Sequence, residues 1–279
     1  FIGVGGTLGS IAGSAATASL AKVLGSANLL LVSCVLLQIA VLVVMRFPRT
    51  DATAGAAGPS EATKALGGSV WDGLTHIVKS PYLTGVAAFL ALFTIGSSFL
   101  YFEQSAIVGA VYADRASRTE VLAQIELAVQ VATVLAQVFL TGRLIRWFGL
   151  GAALAFLPVV SMIGFGAIAA APTFAAVAAF VVLRRAGNFA FTNPAMEILF
   201  TVVPREDKYK AKAFIETFVY RGGDQLGAWA FAGLTTLGLG LTAIAWIAVP
   251  MSAVWMALAV WLARRQAAMA AVSERTAPT

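Results

Sequence analysis

Arg184, Arg185, Asn188 and Thr192 stand at helical spacing inside one long apolar run, within a sector of roughly 100° on a helix that turns about 100° per residue. Two adjacent cations beside an amide and a hydroxyl suit an anion. They serve equally well if acids of neighbouring helices neutralise them, or if they snorkel from a helix end. In another run Glu126, Gln130, Thr133 and Gln137 fall on one face. Gln and Thr there are ordinary interhelical glue, whereas Glu126 demands a partner, a cavity or a substrate. A third run carries Lys212, Glu216, Tyr220, Gly223 and Gly227 along one face, with Arg221 and Asp224 spaced to pair at i, i+3. Glu216 reads as an ion-pair partner of Lys212 in preference to a substrate contact. Gly222 and Gly223 read as a place for close packing or bending, since no strand precedes them to make a phosphate loop. Glu103 and Glu197 complete the set of acids within or near the apolar runs. An ionisable side chain at mid-bilayer costs about 2.5–3.5 kcal/mol, so each is expected to face a partner, a cavity or a solute.

The rest of the composition offers little other chemistry. Of 279 residues, 59% are hydrophobic and only 11% charged, against the roughly 25% of soluble chains, which predicts a membrane protein. A net charge of +6 does not predict a nucleic-acid binder, because the basic residues punctuate the ends of apolar runs and form no exposed stripe. With one cysteine, Cys34, and one histidine, His76, there is no material for a disulfide, a Cys/His metal cluster or a Ser-His triad. No cofactor or metal is expected. A membrane-embedded enzyme acting on a lipid or peptide is a remaining alternative, with no reactive group to support it.

These side chains must be positioned by helices. Apolar runs at residues 2–21, 27–45, 82–102, 121–141, 150–171, 174–200, 214–237 and 241–263 are each near the roughly 20 residues that cross hydrocarbon, giving about eight transmembrane helices in an all-α polytopic bundle. Gly5, Gly9 and Gly13 give the first run a face for a close neighbouring backbone, or reflect a chain that is rich in glycine. The single long connector opens with Arg46, Pro48 and Arg49 and continues as an Ala/Gly/Ser/Thr linker through Thr63. Within it Leu66, Val70, Leu74 and Ile77 repeat at helical spacing beside Trp71, Asp72, His76 and Lys79, either as an interfacial helix or as a lead-in to the next span. The organisation so read is residues 1–45 as two helices, 46–80 as a cytoplasmic connector, 81–266 as a six-helix half and 267–279 as a cytoplasmic tail.

Orientation follows from the basic residues, which resist translocation. Arg46, Arg49, Lys64 and Lys79 follow the second span, Arg143 and Arg146 the fourth, Arg205, Lys208, Lys210 and Lys212 the sixth, and Arg264, Arg265 and Arg275 the eighth. The opposite loops hold only Lys22, Arg115 and Arg118. The bias puts the C-terminus in the cytoplasm and the chain in a bacterial inner membrane.

Two helices, a long connector and six more helices resemble the fifth and sixth helices plus the second half of a major facilitator superfamily transporter. That likeness implies four upstream helices beyond Phe1. Gly142, Arg143, Leu144, Arg146 and Gly149 are similar to that superfamily's Gly/Arg loop motif. A sharper likeness lies in NPAMEILF from Asn193 and KYKAKAFIETFVYRGG ending at Gly223. These segments resemble the ATP/ADP translocase family, the nucleotide transporters of plastids and intracellular bacteria, with their Asn/Asp-Pro-x-Lys-Glu element, Lys-rich element and Gly/Arg segment.

The resemblance implies exchange of a nucleotide or related organic anion by alternating access. Asn193, Pro194, Glu197, Lys208, Lys210, Lys212, Glu216 and Arg221 are the transferable positions, the basic ones facing phosphate. Met196 replaces the lysine before the glutamate, and a second lysine is lost near Asp224. Losing two cations runs against a polyphosphate site and leaves open a less charged anion. The expected substrate-binding set is Arg184, Arg185, Asn188, Asn193, Glu197 and Arg221. Glu126, Gln130, Glu103, Glu216 and Asp224 are expected to couple or line the cavity. The alternative is proton-coupled export of an organic or amphiphilic solute, with Glu126 or Glu103 carrying the proton. The expected partners are that small solute, the lipid bilayer and the missing N-terminal helices, and no nucleic acid.

Overall fold

Each apolar run folds as a helix because, in the absence of water, the backbone must satisfy its own hydrogen bonds. The computed structural model describes residues 2–46 and 70–276, and helices occupy nearly all of both stretches. They are α1 (Ile2–Arg46), α2 (Val70–Lys79), α3 (Pro81–Val111), α4 (Arg115–Phe139), α5 (Thr141–Ala170), α6 (Phe174–Gly187), α7 (Asn193–Leu199), α8 (Arg205–Phe214), α9 (Tyr220–Thr236) and α10 (Leu241–Thr276). Six segments of the described residues are long and apolar enough to cross a membrane: Ala27–Arg46, Pro81–Val111, Arg115–Phe139, Gly149–Ala170, Phe174–Val202 and Leu241–Val272. The molecule is an all-α polytopic membrane bundle.

The two remaining runs, 2–21 and 214–237, are helical but fall outside those six. Gly, Ala, Ser and Thr dilute the first, and charged or small residues the second. The first two runs are continuous in α1, kinked at Gly25, where φ is 75°. Gly149, at φ 74°, likewise separates a short turn of helix carrying Arg143 and Arg146 from the span that follows. Short polar caps start the other spans. The Ser80 side chain accepts from the Leu83 amide ahead of Pro81, Asp114 from Ser117 at 2.9 Å, and Thr173 from Ala176 at 3.3 Å.

Two apolar clusters stack along the bundle. One packs Phe89, Phe93, Leu154, Leu157, Leu199 and Trp255, and the other Phe99, Leu100, Phe165, Phe180, Val181 and Ile244. Around the first cluster, Tyr82 Oη donates to the Leu199 carbonyl at 2.8 Å, joining the start of α3 to the end of α7. A Cβ at Gly151 would lie 3.5 Å from Ala263, joining the start of α5 to the end of α10. Lys79, Arg143, Arg146, Lys212 and Arg264 therefore gather toward one end. At the other end the rings of Tyr112 and Phe174 meet at 5.6 Å, and Lys22 bridges Glu120 at 2.7 Å.

Helices α3 and α9 approach closely at two glycines. A Cβ at Gly223 would run into the Thr94 hydroxyl and stand 3.3 Å from the Ala91 Cα, and one at Gly227 would stand 2.8 Å from Ser98 Cβ and 3.0 Å from the Ile95 Cα. Only glycine fits there, because the neighbouring backbone has taken the side chain's place. Gly222, one residue away, faces open space. The glycine face expected on α1 has a different outcome: a Cβ at Gly9 or Gly13 meets nothing within 4 Å, although the helix lies along α4. Helices α1 and α4 pack along each other, yet they leave a cleft at these glycines. The amphipathic stretch of the connector forms α2, which packs on α3 and α8 and buries Ile77. Leu66 lies outside the described residues, as do the side chains of Trp71, Asp72 and His76.

Candidate functional site

Arg184 and Arg185 are neighbours with different surroundings. Arg184 is 3% exposed and lies between the two apolar clusters. Its Nε donates to Ser161 Oγ at 3.1 Å, Nη1 to Ser97 Oγ at 2.8 Å and Nη2 to the Phe93 carbonyl at 2.8 Å. Its guanidinium stands 5.0 Å from the Phe93 ring centre and 5.9 Å from that of Trp255. Neutral oxygens and ring faces, not a carboxylate, make a place for this cation. Arg185 turns outward to α4, where Nη1 pairs with Glu126 Oε2 and Nη2 donates to Glu126 Oε1 at 3.2 Å. Gln130 completes the cluster by donating to Glu126 Oε1 at 2.9 Å. The polar stripe of α4 continues with buried Thr133 and with Gln137, which donates to the Phe189 carbonyl at 3.3 Å.

Between α6 and α7 the helix loosens into a π-turn over Asn188–Thr192, and a second π-turn spans Ile215–Val219 between α8 and α9. Such turns insert a residue and shift the side-chain register beyond them, and they recur at functional sites. Asn193 and Glu197 are exposed on a face away from buried Arg184, Thr192 is buried and Asn188 is half-buried. The second turn hands the chain on to Tyr220 at the start of α9.

Those turns border two cavities. The central one, of about 600 Å³, is lined by Ser97, Ser98, Tyr101, Phe102 and Gln104 of α3, by Arg184, Arg185, Asn188 and Phe189, and by Tyr220 and Asp224 of α9. Another, of about 530 Å³, is lined by Asn193, Met196, Glu197, Glu216 and again Phe189 and Tyr220. Beside it Lys212 Nζ bridges Glu197 at 2.5 Å and Glu216 at 3.6 Å. The Glu197 hydrogen bond, ahead of the Coulombic pull of both acids, holds the Lys212 ammonium above its ordinary range. The expected set thus divides: Arg184, Arg185, Asn188 and Asp224 share the central cavity, whereas Asn193, Glu197 and Glu216 belong to its neighbour. A third cleft, of about 520 Å³ between α1 and α4, is lined by Ser10, Ser14, Thr17, Thr119, Glu126 and Gln130.

Other expected residues do not line these cavities. Arg221 is exposed at the start of α9, close enough to Asp224 to act on it electrostatically, while Asp224 lines the central cavity. Ser98 Oγ donates to the Asp224 carbonyl at 3.1 Å. Glu103 is fully buried, and neither of its carboxyl oxygens has a hydrogen-bond partner. It follows Gly96 by two turns on the same face of α3, and Gly96 abuts Arg184 and Met251. Lys210 is half-buried on α8, and the side chain of Lys208 lies outside the described ones. Ser97, Ser161, Phe189 and Gln104 were not among the expected residues. Their only signal in the sequence is polarity or aromaticity within a span, notably the Ser97-Ser98 pair.

Comparison with known proteins adds a relative. The chain is 26% identical over 221 residues to "ADP,ATP carrier protein 2" of Chlamydia pneumoniae, an alignment covering 70% of this chain and 41% of that protein. The chain thus spans about two fifths of its relative's length. No family model and no solved structure matches. The likeness supports a relationship to nucleotide transporters.

Proposed function

We propose that this chain is part of a secondary transporter that moves a nucleotide-related solute across a membrane by exchange, and that it is not an enzyme. The observation that carries this reading is the central cavity, where α3, α6 and α9 bring Arg184, Arg185, Asn188, Tyr220 and Asp224 together inside the bundle of a chain similar to a carrier. Costly polar groups around a cavity at bilayer depth are what a solute pathway requires. In this reading residues 81–266 form one half of a major-facilitator-type fold, and residues 1–45 belong to the facing half. The halves rock about the cavity to give alternating access, and helices beyond this chain close its other wall. The basic end, with the tail at residues 267–279, faces the cytoplasm of a bacterial inner membrane.

The test is uptake of radiolabelled nucleotides and nucleosides by liposomes holding the full-length protein, with unlabelled solute inside to drive exchange. Counterflow is expected, reduced by about tenfold or more in Arg184→Ala, which strips three hydrogen bonds from the cavity wall. Background uptake across the whole series, unchanged by Arg184→Ala, overturns the proposal.

One observation favours a second reading, proton-coupled export of an organic solute. Glu103 is a buried carboxyl without a partner, two helical turns from the residue that abuts Arg184. Export driven by an imposed pH gradient and lost in Glu103→Gln supports this version. Transport indifferent to both overturns it.

A further inference from the structure

Building on the transport reading, we propose that the central cavity takes an uncharged nucleoside, a base and sugar without phosphates. The charges around the cavity balance. Its lining holds two cations, Arg184 and Arg185, and one anion, Asp224, and the Arg185 guanidinium is already clamped by Glu126 in a two-point contact. Arg184 is no free clamp either, with each of its three nitrogens donating within the bundle and its face against Phe93. A di- or triphosphate brings several negative charges, and removing them from water requires an excess of opposing cations. With Glu126 counted against Arg185, the lining is left with one cation and one anion and has no such excess.

The neighbouring cavity points the same way. Across the wall formed by Phe189 and Tyr220, it is lined by two carboxylates, Glu197 and Glu216, which Lys212 bridges. Among the described lining residues a polyphosphate meets these two carboxylates and no cation. A neutral solute meets no such barrier.

What the central cavity does provide fits a base and a sugar. Phe189 and Tyr220 line the cavity with aromatic rings suited to a planar base, beside Phe102, which is stacked on Phe231 at 5.0 Å. Asn188 and Gln104 carry both donors and acceptors for a base edge, and the Asp224 carboxylate accepts from sugar hydroxyls or an exocyclic amine. At about 600 Å³ the cavity falls in the ~300–1,000 Å³ range of small-molecule sites.

The deciding experiment is equilibrium binding of tritiated adenosine, with adenosine, AMP, ADP and ATP as competitors, to the full-length protein in nanodiscs. Adenosine is expected to compete at least about tenfold better than ATP, and Asp224→Asn to weaken adenosine by about tenfold. Glu126→Gln, which frees Arg185, is expected to shift the preference toward ATP by about tenfold. ADP or ATP binding more tightly than adenosine in the parent protein overturns the assignment, as does a preference that Glu126→Gln leaves unchanged. The liposome assay separates the two proposals. Nucleotide exchange without adenosine binding overturns the nucleoside site and leaves transport standing, whereas adenosine binding without uptake of any solute in the series does the reverse.

Discussion

Arg185 and Glu126 are joined by two hydrogen bonds between α6 and α4, and this pairing decides the character of the central cavity. Both side chains keep partial access, at 43% and 33% exposure, so the pair is neither a surface ornament nor a sealed core contact. Removing either partner leaves a charge beside apolar walls, while removing both leaves none. Arg185→Gln and Glu126→Gln are each expected to lower stability by about 1 kcal/mol, and the double variant to lose less than the sum. A double-mutant cycle on the detergent-solubilised protein, read by thermal unfolding, checks this. Strict additivity excludes the coupling.

The α3–α9 contact predicts opposite outcomes at adjacent glycines. Gly223→Ala places a methyl group on the Thr94 side chain and is expected to cost about 1–3 kcal/mol, partly recovered by Thr94→Ala. Gly222→Ala meets open space and is expected to be neutral or stabilising, because alanine is the better helix former by about 1 kcal/mol. Melting temperatures of the two variants measure the difference. Equal effects at both positions refute the packing.

Outside the membrane, the start of α4 depends on Asp114. The Ser117 backbone amide, with lesser help from its hydroxyl and from the amides of Ala116 and Arg115, holds this carboxyl below its ordinary range. A depressed folded-state value stabilises the helix start above the unfolded pKa of about 4, and that contribution is lost as pH falls through the folded value. Amide protection at the first turn of α4, taken relative to the intrinsic exchange rate at each pH, is therefore expected to fall below about pH 4. Asp114→Asn keeps the cap and abolishes the pH response of the protection, whereas Asp114→Ala lowers the protection at every pH. A parent profile that stays flat in acid counts against the cap.

Apolar run length located residues 150–171 against Gly149–Ala170 and 174–200 against Phe174–Val202 to within a few residues, but it began the fourth span six residues late at the charged start Arg115 and stopped the last at 263 against Val272, before Arg264 and Arg265. It ended α3 nine residues early, at 102 against Val111, because Glu103 and Gln104 look like a boundary when read singly. In the fold Glu103 points into the bundle and Gln104 lines the cavity, so the helix continues past them. Periodicity put Arg184, Arg185, Asn188 and Thr192 on one face; the first three line one cavity, and Thr192 is buried without lining it. It did not separate the two arginines. Arg184 is satisfied by Ser97 and Ser161, which come from two other helices, and Arg185 by Glu126 of a third. Long-range partners of this kind depend on how helices dock, and helical spacing within one run is blind to docking. The π-turns were equally hidden, because one inserted residue leaves the hydrophobic pattern almost intact.

The glycine notches of α9 also limit how the protein can change shape. At Gly223 and Gly227 the α9 backbone seats directly on Thr94, Ser98 and the α3 backbone, so no α9 side chain at those two positions holds the helices apart. A tilt of α9 is therefore expected to carry α3 with it, moving Asp224 and Ser97 together. The cleft between α1 and α4 has no such glycine seat at Gly9 or Gly13, and there Glu126 connects the cleft to Arg185 of the central cavity.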